Sequence, residues 1–300
     1  MPLIAIYGTV VLIWGSTWFV ITFQLGPVAE ELSVGYRFGL ASACLFAYAR
    51  ATGQSLSIKL DHYAIVVLMG VLMFSISYVM VYIGSRYITT GLVAVLYSLI
   101  ILFNGVLERL IYGTPIDGRL VAAAMTGLFG TALVFWPEVS SLTLKDRAVL
   151  GIAWTVFSVF IAALGNMAAI TNTRRALPIV TVNAHAMAWG ALSSFIIAAL
   201  FDREWRFLMT PEYVLSLVYL AVFGSCIAFG CFLALIKRIG SARASYASVL
   251  FPIVALAIST VFEDYRWSLP AAVGVAFILS GNWLALSRVP QRPQASTTQS

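Results

Sequence analysis

Charge is what this sequence has least of. Only 10% of its 300 residues are Asp, Glu, Lys or Arg, against 61% hydrophobic, and the mean hydropathy is +0.95. A water-soluble domain carries about 25% charged residues, so a soluble fold is excluded and the chain is read as an integral membrane protein. Histidine is almost as scarce: His62 and His185 lie on different elements, with no acid at a spacing both could share. That leaves no general base, nucleophile or metal cluster of the kind a membrane-embedded enzyme needs, and no cofactor or metal is expected. The three cysteines, Cys44, Cys226 and Cys231, all fall in apolar runs. An odd count without paired spacing excludes a disulfide or metal framework and reads as packed thiols.

In place of charge there are long apolar runs. A helix needs about 20 mainly apolar residues to cross the hydrocarbon core. Ten such runs are present, at 3–24, 32–49, 63–84, 88–107, 120–136, 150–170, 179–201, 213–236, 244–262 and 269–287. The first lacks a basic leader region and a small-residue cleavage site, so it reads as a retained span rather than a signal peptide. Lys and Arg of short loops stay on the cytoplasmic side. With the N-terminus inside, the cytoplasmic loops collect Arg50, Lys59, Arg109, Arg119, Arg174, Arg175, Lys237, Arg238 and Arg243. The opposite loops, among whose charges Arg37 is counted, hold more acids than bases. Both termini are therefore expected in the cytoplasm. The pI of 9.3 follows from this topology, and no nucleic-acid partner is invoked. The polar, proline-bearing tail 288–300 is expected to be disordered.

The chain also resembles itself. "RYITTGLVAVLYSLIILFNGVLER" from Arg86 and "KRIGSARASYASVLFPIVALAISTVFED" from Lys237 share a basic start, a small-residue opening, an apolar run and a glutamate at its end, Glu108 or Glu263. Trp14 and Trp154 make a weaker match at the two half starts. The organisation expected is a first five-span repeat at 1–137, a connecting loop at 138–149, a second five-span repeat at 150–287 and the tail. Five is odd, so the second repeat enters the membrane from the opposite face. Many secondary transporters use such an inverted repeat to hold a binding site near the midplane. The fold class expected is all-α, with ten transmembrane helices as two inverted five-helix repeats.

"IWGSTWFVI" at 13–21, "YRF" at 36–38, "GTALVFWP" at 130–137 and "SARASYASVLFPIVALAISTVFE" at 241–263 resemble the EamA-type members of the drug/metabolite transporter superfamily, over nearly the whole chain. The aromatic interior makes the chain most similar to the YddG-like amino acid exporters. The resemblance implies ten helices, cytoplasmic termini, a bacterial inner membrane location and export of small metabolites. Tyr97 stands near where the second half has Pro252, so the fourth span is expected to be less broken than the ninth.

The residues that could bind substrate are aromatic and small polar ones. Trp14 and Trp18 are four apart and share a helix face. At 1.5 Å per residue they lie roughly 16 to 23 Å along their span, too deep for an interfacial belt to explain Trp14. Phe74, Tyr78 and Tyr82 repeat the spacing of four in the third span, as do Trp154, Ser158, Ala162 and Asn166 in the sixth. Tyr97 and Asn104 in the fourth span, and Ser245 and Tyr246 in the ninth, complete the set. Helix packing uses the same residue types, so each alone is compatible with either role. Together they imply a polar, aromatic interior. Pro252 should kink the ninth span, as a gate or as a tolerated membrane kink. His185 is read as the ionisable side chain deepest in the hydrocarbon, either a substrate or proton group or a neutral residue fixing the seventh span. Glu108 and Glu263 read as helix-end packing and capping, with ion coupling the alternative.

No span is read as carrying Lys or Arg near its middle, which disfavours a phosphorylated substrate. No acid lies at the midplane, which leaves no carboxylate proton relay. Neutral, zwitterionic and lipophilic cationic substrates remain. The function expected is export of amino acids and related metabolites by alternating access, with lipophilic cationic drugs as the alternative cargo. The partners expected are an amino acid-like small molecule and the lipid bilayer, with no obligate protein partner evident.

Overall fold

The computed structural model describes residues 1–134, 136, 147–262 and 267–286. Glu263, the tail 288–300 and most of the 138–149 loop lie outside the described residues. Among those described, all regular structure is helical. In chain order the helices are α1 (Leu3–Ile21), α2 (Glu30–Ala51), α3 (Leu60–Val71), α4 (Ser77–Gly84), α5 (Thr90–Tyr97), α6 (Ile100–Tyr112), α7 (Gly118–Val134), α8 (Ala148–Arg174), α9 (Ile179–Leu200), α10 (Pro211–Tyr219), α11 (Ala228–Ile239), α12 (Ser241–Ser245), α13 (Ala247–Phe262) and α14 (Leu269–Leu286).

Among the described residues six helical stretches are long and apolar enough to cross a membrane: Leu3–Gln24, Leu60–Gly84, Leu92–Tyr112, Ala148–Arg174, Ile179–Leu200 and Pro211–Ile239. Gly118–Val134, Arg243–Ile258 and Leu269–Ala285 are shorter apolar helices. Helix α2 is as long as the first group but carries Glu30, Glu31, Arg37 and Arg50. Local chemistry sets the ends. Glu30 and Glu31 complement the positive end of the α2 dipole and Arg50 the negative end. Pro211 opens α10, where a missing N–H costs nothing. Gly113 closes α6 in the left-handed conformation, at φ 68°.

Two spans change pitch midway. Between α3 and α4, residues Leu72–Ile76 form a wide π-helical turn, and between α10 and α11 Leu220–Ile227 do the same. Two others are interrupted, at Ser98–Leu99 between α5 and α6 and at Tyr246 between α12 and α13. The number of residues from Leu72 to Leu220 equals that from Ser98 to Tyr246, so both irregularities recur at one offset.

This corrects the expectation drawn from Pro252. The fourth span is broken, although it holds no proline, and Pro252 lies inside continuous α13. At the fourth-span break the Ser98 and Leu99 amides bond only three residues back, to Val95 and Leu96, and the Ser98 hydroxyl takes the Ala94 carbonyl. Tight turns and a serine bonding back to its own helix do what proline was expected to do. At the ninth-span break the Tyr246 carbonyl accepts from Asn282 at 3.0 Å, while the Tyr246 hydroxyl donates to the Leu120 carbonyl.

Packing pairs the two halves. Helix α2 lies along α9, and α7 along α14. Helix α1 packs on α13 and α11, and α8 correspondingly on α6 and on α3 with α4. Exchanging the halves maps this set of contacts onto itself.

Candidate functional site

A narrow cavity of about 70 Å³ opens where α1, the third span, α5, α8, α11 and the start of the ninth span converge. That is smaller than the usual small-molecule site, about 300–1,000 Å³. Its wall is apolar and aromatic, with Thr17, Ser77, Asn166, Ser245 and Ser248 as isolated polar positions and no charged side chain.

The two tryptophans divide the work. The Trp14 ring packs edge-on to Phe229 at 4.8 Å and near Phe232 and Phe251 at 5.1 and 5.9 Å. Its N–H donates to the Gly224 carbonyl at 3.0 Å, an acceptor within the π-helical segment. Wide turns free carbonyls from the regular ladder, which is one reason they occur at functional sites. Trp18 packs on Tyr97 at 4.8 Å, and its buried N–H has no acceptor among the described residues. Opposite, the Tyr97 and Ser158 hydroxyls lie 3.3 Å apart. Ser158 donates its own proton to the Ser77 carbonyl at 2.7 Å, so Tyr97 is the donor of the pair.

A polar bridge lies in one flank. The Asn104 amide nitrogen donates to Ser245 Oγ at 2.7 Å, and its oxygen accepts from Asn166 at 3.3 Å. Asn104 is fully buried, while Asn166 and Ser245 line the cavity.

Of the residues singled out from sequence, Trp14, Trp18, Tyr78, Tyr97, Asn166 and Ser245 come together in this wall. Tyr82, Trp154, His185, Tyr246 and Pro252 do not line it. Tyr82 is fully buried one turn beyond Tyr78, with its hydroxyl against Arg37. Tyr246 is spent on the ninth-span break and borders a separate hollow of about 540 Å³ near Glu108, Asp117 and Arg243. Pro252 is one residue past Phe251, which is the lining residue. His185 holds a loop: its Nε2 donates to the Leu56 carbonyl at 2.9 Å, and its Nδ1 lies 3.3 Å from the Tyr63 hydroxyl, which itself accepts from Trp189. A carbonyl only accepts, which fixes the tautomer. Trp154 is half-buried on α8 away from the cavity. Trp154→Leu should therefore leave transport by the folded protein within about twofold of wild type, measured in proteoliposomes.

Sequence reasoning missed two features. Phe229, Phe232 and Phe251 form much of the wall; the spacing of three in the eighth span was the available signal. Arg37 was assigned to an outer loop, whereas it lies inside α2 and is only 1% exposed. Its guanidinium bonds Ser225 Oγ at 3.1 Å and sits 4.6 Å over the Tyr78 ring. The segment "YRF" within an otherwise apolar run was the signal there. Among the described residues Arg37 is the least exposed charged side chain.

A chain whose described regular structure is all helical, with several membrane-length stretches around a cavity, has the form of a multi-pass membrane transporter. The chain matches the EamA-like transporter family twice, over residues 3–136 and 149–287, and belongs to that family. It is 24% identical over 296 residues to the "Probable amino-acid metabolite efflux pump" of Escherichia coli K12, covering 92% of this chain and 91% of that one. It is likewise 24% identical over 263 residues to the "Uncharacterized inner membrane transporter YedA" of the same strain, covering 87% and 82%. A crystal structure superposes with a TM-score of 0.78 over 95% of this chain and 96% of the other, at 20% identity, which shows the fold.

Proposed function

We propose that this protein is an inner-membrane carrier of ten spans, built as two inverted repeats with both termini cytoplasmic. It exports neutral amino acids and related small metabolites by alternating access. The observation that carries the reading is the cavity itself, whose wall takes residues from α1, the third span and α5 of one half and from α8, α11, α12 and α13 of the other. A site shared between two halves changes its exposure when the halves rock. The contacts that survive exchange of the halves, and the double match to one family, support the repeat. Aromatic rings suit an apolar or aromatic side chain, and the unpartnered Trp18 N–H suits a ligand acceptor. The name of the Escherichia coli relative agrees with an amino acid cargo. Lipophilic cations would find only ring faces in the wall, which offers no carboxylate among the described residues.

The test is counterflow of labelled neutral amino acids in proteoliposomes, with and without an imposed pH gradient. Saturable exchange of at least one is expected, with Trp18→Phe weakening apparent affinity about fivefold, the value of one hydrogen bond. Absence of exchange across the panel would overturn the cargo assignment, and flux that never saturates would mean a pore.

A further inference from the structure

Arg37 poses a problem of charge. It lies seven residues inside α2, about 10 Å from the helix start at 1.5 Å per residue, and is 1% exposed. A guanidinium at such a place is costly unless paired. Every partner it has is neutral: Ser225 Oγ at 3.1 Å, the Tyr82 hydroxyl at 3.5 Å, and the rings of Tyr78 and Phe38 at 4.6 and 5.1 Å. Among the described residues no carboxylate lies within salt-bridge distance of it. The acids on its own helix, Glu30 and Glu31, are engaged at the helix start by Arg86 and Arg203.

The charge stands one layer behind the cavity wall. Tyr78 belongs to both, since it lines the cavity and carries the guanidinium over its ring. Gly224 marks the same closeness: a Cβ there would lie 3.0 Å from Cγ2 of the lining Thr17 and 3.2 Å from Nη2 of Arg37. A second group in the wall also lacks its complement, the buried Trp18 N–H. An unbalanced cation behind the wall and an unpartnered donor in it call for one kind of ligand, an anion rich in acceptors.

We propose that Arg37 is the specificity-determining charge of this cavity, which selects small molecules bearing a carboxylate and rejects amines that lack one. The inference rests on the carrier reading above and narrows its cargo. A zwitterion would direct its carboxylate toward the Tyr78 side of the wall, with its apolar side chain among Phe229, Phe232 and Phe251. Ser225 orients Arg37, because Ser225 Oγ donates to the Leu220 carbonyl at 2.9 Å and so presents its lone pairs to the guanidinium.

The experiment compares counterflow of phenylalanine and phenylalaninamide, which share a ring and an amine and differ in the carboxylate. Wild type should exchange phenylalanine at least about tenfold faster. Arg37→Gln should bring the ratio to within about twofold of unity, with the protein still monodisperse on size exclusion. A wild-type ratio near one overturns the proposal without any variant, so a misfolded Arg37→Gln does not shelter it. A ratio unchanged in folded Arg37→Gln overturns it as well. If wild type exchanges neither compound, the carrier reading fails for this cargo, and thermal stabilisation of the wild-type protein decides the charge separately. Stabilisation by phenylalanine but not its amide upholds Arg37; equal or no stabilisation by the two overturns it.

Discussion

Valine in place of Gly274 is expected to be among the most damaging apolar substitutions in this chain. A Cβ at Gly274 would lie 2.5 Å from the Gly130 carbonyl oxygen, and one at Gly130 would lie 2.6 Å from the Gly274 carbonyl oxygen. The contact is backbone against backbone, so no rotamer change relieves it. Between lipid-embedded helices there is little hydrophobic drive, and association depends on close van der Waals packing at small residues. Gly281 extends the seam, since its Cβ would lie 2.8 Å from the Ala123 carbonyl oxygen. Separating α7 from α14 to admit a valine forfeits contacts along the pair, at a cost of about 3 kcal/mol or more. The detergent-purified variant should melt well below wild type and run partly aggregated on size exclusion. Met125→Leu, at an exposed position on the same helix, should melt close to wild type. A Gly274→Val protein with the wild-type melting temperature would mean that these helices do not meet as described.

How much of this was legible in the sequence depends on which physics decided each feature. Apolar length is local, and the run read as 3–24 coincides with the stretch Leu3–Gln24. Spacing of four put Trp14 and Trp18 on one face, and both reached the cavity. The same rule applied to Trp154 and Asn166 succeeded for one and not the other. Spacing gives a face of a helix but not its direction, which packing against the other half decides. Pro252 and Ser98 failed in opposite senses. Proline advertises a break yet was absorbed within α13, while the break in the fourth span arose from i to i+3 bonding and a serine that no pattern marks. Hydropathy also averages over its window, and so the eight apolar or small residues around Arg37 concealed a buried cation that needs Tyr78, Tyr82 and Ser225 from distant segments to be held.

Asn104→Leu is expected to lower flux about tenfold or more while changing melting temperature modestly. The asparagine amide reaches Ser245 in one half of the chain and Asn166 on α8, and both of those side chains face the cavity. Leucine nearly preserves volume but removes both bonds and leaves the Asn166 amide without that acceptor in an apolar wall. The loss is on the order of 1–3 kcal/mol, and each 1.4 kcal/mol is about tenfold in an equilibrium. In the alternating-access cycle proposed above that loss would fall unevenly on the two states, because the fourth-span to ninth-span bond joins segments that such a cycle would move relative to each other. A shift between states alters flux more than it alters global stability. The discriminating measurement is a double-mutant cycle with Asn166→Leu on counterflow rate and on melting temperature. If the bridge acts as a unit, the double variant is no slower than Asn104→Leu alone. Strictly additive losses would mean that Asn104 and Asn166 contribute separately, and a melting temperature that falls in step with flux would make the bridge a packing element and not part of the transport cycle.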